Sequence, residues 1–387
     1  VSHNHFLTSV IGSWPRTKEV QKAMRDKKAG RIYETEFNKI ADESILRILK
    51  WQEEAGIDYV SDGEQRRDNY ISFVAEHLNN VRMLSVSELL DYIEDKASFE
   101  EILGTLDVPA FSMTNPAATG KISRKKPLAL NDYLFLKRHT DKAVKVSLPG
   151  PYLLTRSMWV EGLSKDAYPT KEDLAVDIVQ VLREELEDLI AAGVDFVQFD
   201  EPVLTEVVFT KKNANRTFMC GALTAKADAE EEIAFALDLM NQVTKEMLGR
   251  GTKIAVHVCR GNWSKEEEVL LRGPYYPLVP YLANVDVDQL VLEYSTPRAG
   301  EIEVIREFGD KELGFGIVNP RTDVVETVEE MVERVQAIRK FLPDHKIYLN
   351  PDCGFGTFAQ RPMNGDEIAF LKLKNMVEAA RVLRSLP

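Results

Sequence analysis

Short runs of β-branched and apolar residues alternate along this chain with longer stretches whose apolar positions recur at helical spacing. Eight short runs stand out, at residues 7–13, 58–64, 143–149, 195–201, 253–260, 289–295, 312–319 and 346–353. Their length and residue types predict buried strands. Amphipathic patterns between them predict helices over 37–55, 171–192, 229–248, 327–341 and 366–383. Acidic residues open several of these, and Gly56, Gly193 and Gly249 follow three of them. That punctuation suits the helix dipole and the left-handed turn that ends a helix. Strand–helix alternation predicts a parallel sheet, and eight repeats predict an α/β fold closed as a (β/α)8 TIM barrel rather than an open doubly wound sheet.

One connection breaks the rhythm. The segment from Gln65 to Lys142 holds a helical piece at 87–103 and an irregular piece at 105–130. No linker rich in Gly, Pro or Ser interrupts the chain. The expectation is one barrel domain over residues 1–387, with an inserted helical and irregular segment at about 65–142.

Composition narrows the function classes. The 387 residues are 44% hydrophobic and carry a formal charge of −13 without any basic run. This argues against a nucleic-acid partner and against an anionic membrane surface. No apolar run is long enough to span a bilayer, and the first residues lack a signal-peptide pattern. Three cysteines, Cys220, Cys259 and Cys353, are too few for a disulfide framework and fit a reducing, cytoplasmic setting. Cys220 is read as a spectator thiol.

A barrel delivers its chemistry at the C-terminal ends of its strands. There the sequence places Ile11–Trp14, Asp62–Glu64, Asp200–Pro202, His257–Cys259, Glu293, Asn319–Arg321 and Asp352–Gly354. His257 and Cys259 are two apart, so a strand points both to one face. Alone, an H-x-C pair is weak, because buried cysteines are common as small apolar residues. Joined by Cys353 and Glu293 from other strand ends, it offers the donors that Zn2+ takes. Ligands scattered over several strands at a barrel mouth point to a catalytic rather than a structural zinc. Two thiolates and a carboxylate make such a zinc electron-rich. It is a poor generator of hydroxide, but it suits holding a substrate thiol as a nucleophilic thiolate. This points to S-alkylation.

The motifs then resemble a known family. They are I-G-S-W-P-R-T from Ile11, D-G-E from Asp62, S-L-P-G-P-Y from Ser147, Q-F-D-E-P from Gln198, H-V-C from His257, L-E-Y from Leu292 and N-P-D-C-G-F-G-T from Asn350. In this order they resemble the C-terminal catalytic barrel of cobalamin-independent methionine synthase, in a core form without the second barrel. The resemblance implies zinc on His257, Cys259, Glu293 and Cys353. It also implies a homocysteine site in which Ile11 and Ser13 hold the carboxylate and Glu64 and Asp200 hold the ammonium. Anionic partners for an ammonium and N–H or O–H donors for a carboxylate are what an amino-acid substrate needs.

Two positions differ from the family pattern. A tryptophan that stacks on the folate corresponds to Ser157 here, with Trp159 two residues later, and a proton-donating histidine after the seventh strand is replaced by the run Asn319-Pro320-Arg321. Protonation matters when the methyl leaves from a folate amine. The methyl donor is therefore expected to be methylcobalamin, a methylated corrinoid protein, or methyltetrahydrofolate. The competing readings are a zinc-dependent thiol alkyltransferase of the epoxide:coenzyme M type and a non-catalytic zinc-binding barrel. The pairing of Glu64 with Asp200 argues for an amino-acid thiol.

Overall fold

The computed structural model describes residues 5–92, 96–97, 114–209, 228–262 and 264–387. The strands in chain order are β1 (Leu7–Thr8), β2 (Tyr59–Val60), β3 (Leu78–Ser85), β4 (Thr114–Arg124), β5 (Ala143–Pro149), β6 (Phe196–Asp200), β7 (Lys253–Val258), β8 (Gln289–Glu293), β9 (Glu312–Val318) and β10 (Ile347–Pro351). Eight of them form one sheet in the order β1-β10-β9-β8-β7-β6-β5-β2. Every neighbouring pair in it is parallel. A parallel bridge between Ser9 and Tyr59 joins the two ends and closes the barrel. The (β/α)8 architecture read from the sequence is the one observed.

The barrel strands begin within one residue of the predicted starts, and all but β5 end sooner, as with β7, which stops at Val258 rather than Arg260. The residues past the ladder are the polar ones, and they turn off the sheet into the loops of the mouth. The outer helices cover the strands with apolar faces. Lys171–Ala191 starts with a capping box between Thr170 and Asp173 and buries Leu174, Ile178, Leu182, Leu186 and Leu189 along one side. Between β8 and β9, where the sequence pattern shows no helix, the outer layer is made of 3-10 turns at Pro297–Ala299 and Ile302–Phe308.

The inserted segment needs one correction. Within the stretch read as irregular lies β4, which pairs antiparallel with β3 in a long hairpin. Pro116 and Gly120 inside β4 hide it from a propensity reading. Proline is tolerated because the ribbon has only two strands, each with an edge free of ladder bonds. Of the predicted helical piece, Val86–Leu89 and Leu90–Tyr92 are helical, and most of the remainder lies outside the described residues.

The lumen is filled in layers. Lys253 reaches the Tyr348 hydroxyl at 2.9 Å and pairs with Glu312 near the strand starts. Lys145 donates to Ser9 Oγ (3.1 Å) and Val10 O (2.8 Å) and lies over the Phe196 ring. An apolar plug of Ile11, Phe196, Ala255 and Val291, packed by Tyr59, closes the middle. Above it the inward residues turn polar: Ser147, Gln198, Asp200, His257 and Glu293. Gly316 on β9 makes room there, since a Cβ would stand 2.5 Å from Asp352 Oδ1. Among the described residues no helix is long and apolar enough to cross a membrane.

Candidate metal and substrate site

His257 sits one residue before the end of β7, Cys259 one residue past it, and Cys353 two residues past the end of β10. One donor atom from each of the three lies within 4.8 Å of the others, and all three residues are buried. The His257 Nδ1 is 3.0 Å from Val291 O, to which it donates. This fixes Nδ1 as an N–H and leaves Nε2 without a hydrogen-bond partner in the protein. The thiols are also held from behind. Thr205 Oγ1 donates to Cys259 O at 2.7 Å. Asp352 accepts from Tyr294 N (3.0 Å) and Ser295 N (2.9 Å), which ties the Cys353 loop to the end of β8.

Electrostatics mark the same three groups. The hydrogen bond from Cys353, against the opposing effect of burial and with help from His257, holds the Cys259 thiol well below its ordinary range. Cys353 is pushed well above it for the complementary reason. Burial would lower His257, but Cys259 and Asp200 outweigh it and raise the ring to about 9. A buried, partnerless imidazole nitrogen beside two thiols that share a proton has the donor chemistry of a site for a thiophilic metal ion.

Glu293 is not among these three. Its Oε2 accepts from Arg260 N at 3.0 Å, and its Oε1 lies 2.7 Å from Arg298 Nη2. The Oε1 atom nonetheless has no well-directed hydrogen bond.

The four residues expected to hold an amino acid come together with the metal group. Ile11, Ser13, Glu64, Asp200, His257, Cys259 and Cys353 all line one cavity with an empty volume of about 640 Å3, part of it open to solvent. Ser13 is not a helix cap; Thr17 caps the helix that follows. Ser13 Oγ instead accepts from Gly356 N at 3.3 Å, which leaves its hydroxyl proton available. Glu64 does not pair with Arg66 or Arg67. Arg66 is taken by Asp42 and Asp132, and Arg67 donates to Ser147 O. Glu64 is buried, accepts from Ser147 Oγ at 2.7 Å, and is held at a φ of 55°. A non-glycine residue in that region is strained, a feature common at binding sites. Gly12 is required beneath it, since a Cβ there would stand 2.3 Å from Glu64 Oε1. Asp200 accepts from Gln198 Nε2 at 2.7 Å. Burial, with Glu64 nearby and against the attraction of His257, raises its carboxyl to about 7.

Sequence reasoning passed over Ser147, Gln198 and Asn262. Gln198 could have been found, because it stands two before Asp200 on the same strand face. Asn262, three residues past Cys259, also lines the cavity. Neither departure on the donor side restores the family pattern. Ser157 is fully buried, and Trp159 Nε1 donates to Tyr168 O at 3.0 Å. Arg321 is buried, with Nε donating to Glu267 at 2.8 Å, and nearby carboxylates outweigh burial to hold its pKa above the ordinary arginine value. Cys220 lies outside the described residues.

Fold and site together define a parallel α/β barrel whose mouth holds a His–Cys–Cys group that could bind a metal, in one cavity with Ser13, Glu64 and Asp200. The model of the cobalamin-independent synthase catalytic domain matches residues 6–382, and the chain belongs to that family. The chain is 26% identical over 380 residues to a methionine synthase of Saccharolobus solfataricus, covering 97% of this chain and 94% of the relative. It is 28% identical over 379 residues to that of Pyrococcus abyssi, covering 97% and 92%. Among solved structures, a B12-independent methionine synthase from Shewanella sp. W3-18-1, in complex with selenomethionine, has the same fold. Its TM-score is 0.73 at 23% identity, with 98% of both chains covered.

Proposed function

We propose that this chain is a zinc-dependent methyltransferase that transfers a methyl group to the thiol of homocysteine, forming methionine. The observation that carries the reading is the meeting, in one cavity, of the His257–Cys259–Cys353 group with Ser13, Glu64 and Asp200. His257, Cys259 and Cys353 would hold the zinc ion, with Glu293 as the further ligand. A carboxylate offers about four lone-pair positions, so its contacts with Arg260 and Arg298 leave capacity for a metal. Bound there, zinc would supply thiol acidification at neutral pH.

The chain's own groups do the rest. Glu64 and Asp200 bind the ammonium. Burial raises the Asp200 carboxyl to about 7, and an ammonium beside it favours the ionised form. The Ser13 hydroxyl and the Ile11–Ser13 backbone hold the carboxylate. With both ends of the amino acid fixed, its sulfur is oriented for in-line attack, and positioning contributes a large part of the rate. The wider mouth admits the methyl donor: methylcobalamin, a methylated corrinoid protein, or methyltetrahydrofolate. Arg321 keeps its proton, so it is no acid for an amine leaving group. A corrinoid donor needs no such acid.

Cys353→Ser tests the reading. The expected result is a folded protein without zinc and without methionine formation. A zinc-free Cys353→Ser protein with full activity overturns it.

A further inference from the structure

Away from the amino-acid end, the cavity wall is largely apolar. Tyr70 and Phe358 meet edge to face with ring centres 6.2 Å apart, and Leu271 and Pro202 extend the surface, which Glu206 also lines. Asn262 stands out on it. The side chain is only 4% exposed. Its Nδ2 donates to Gly354 O at 2.9 Å and to Thr357 Oγ1 at 2.7 Å. A carbonyl oxygen can only accept, so the amide orientation is fixed with nitrogen toward the 354–357 loop. Oδ1 is then left buried in the cavity wall with no hydrogen-bond partner in the protein. Buried acceptors are nearly always satisfied, and one that is not calls for a ligand.

The placement says which ligand. Asn262 leaves the loop after β7 and reaches the loop after β10, so it spans the mouth beside Cys259 and Cys353. The amino acid's ammonium already has two carboxylates, Glu64 and Asp200, from the loop after β2 and the end of β6. A methyl donor must approach the thiol from the mouth, past Asn262. We propose that Asn262 Oδ1 accepts a hydrogen bond from an N–H group of the methyl donor while the Tyr70–Phe358 surface packs on the donor's ring face. The inference rests on the thiol-methyltransferase reading. The chemistry required is an apolar ring system with an N–H at its rim. A reduced pterin provides this through ring and amino N–H groups, and a corrin through its side-chain amides.

The test is Asn262→Leu in the zinc-loaded enzyme, with 5-methyltetrahydrofolate, methylcobalamin and methyl iodide as separate methyl sources. Methyl iodide has no N–H, and iodide leaves as the C–S bond forms. The expected result is a KM at least tenfold higher for whichever N–H-bearing donor the wild type uses. The loss in kcat/KM should be at least fivefold larger than with methyl iodide, and the homocysteine KM should move less than twofold. The donor that shows the effect identifies its source. Equal losses with all three methyl sources overturn the proposal, as does failure of the wild type to bind either large donor. Thr357→Val removes one anchor of the amide but keeps Oδ1; if it reproduces the donor effect, Asn262 acts through the loop and not on the donor. Should leucine prevent folding, Asn262→Ala with the same comparisons decides. If the wild type does not accelerate homocysteine alkylation even by methyl iodide, it is the methyltransferase reading that has failed.

Discussion

The floor and the mouth of this barrel are both lined with buried polar groups, but they treat them in opposite ways. At the floor, Lys253 meets Glu312 and the Tyr348 hydroxyl, and Lys145 donates to Ser9 Oγ and Val10 O. At the mouth, His257 Nε2, Asn262 Oδ1, Glu293 Oε1 and two nitrogens of Arg321 lack hydrogen-bond partners. Buried polar atoms without partners destabilise a fold by about 1–3 kcal/mol each, so they persist where a ligand completes them. The floor is built for stability and the mouth for binding. Substitutions should therefore separate the two properties by layer.

The largest expected effect is at the mouth. Cys259→Ser should lose zinc and all measurable methionine formation while keeping its far-UV circular dichroism. A variant that unfolds would show that the mouth holds the barrel together after all. Next comes the plug below it. Phe196→Ala should lower unfolding stability by about 3–5 kcal/mol, read from denaturant midpoints, yet bind one zinc per chain. Loss of zinc in a folded variant would break the division between layers.

A smaller effect belongs to the amino-acid end. Glu64→Gln should raise the homocysteine KM about tenfold, roughly 1.4 kcal/mol, without changing zinc content. An unchanged KM removes Glu64 from the site. The smallest effect tests the floor by pH. Burial lowers Lys145 to about 7, against some attraction from Asp200. Its folded pKa thus lies below its unfolded value of about 10.4, and between the two the unfolded chain binds more protons. Stability then rises with pH across that window. Relative to Lys145→Met, the wild type should gain about 1 kcal/mol between pH 7 and pH 8. Parallel stability curves for the two proteins would show that the lysine is not desolvated.

The layers also differ in how far the sequence reveals them. The strands were legible because each is a compact apolar run between helical patterns, and β5 matches its predicted bounds of 143–149 residue for residue. His257, Cys259 and Cys353 were legible because strand ends in a barrel converge. The orientation of Glu293 was not, because it depends on Arg298, five residues on in a 3-10 turn that no periodicity announces. Asn262 was hidden for a similar reason: its anchors, Gly354 and Thr357, lie more than ninety residues away. The hairpin strand β4 was masked by Pro116 and Gly120, residues that fit a two-stranded ribbon but contradict ordinary strand propensity.

The central claim is that the mouth joins a zinc site to a homocysteine pocket. The most direct test measures zinc per chain and methionine formed from homocysteine, with methylcobalamin and methyltetrahydrofolate offered in parallel. The account predicts one zinc per chain and methionine from at least one donor, with both lost on chelation and restored by zinc. Methionine formation that continues undiminished after the metal is stripped would contradict it.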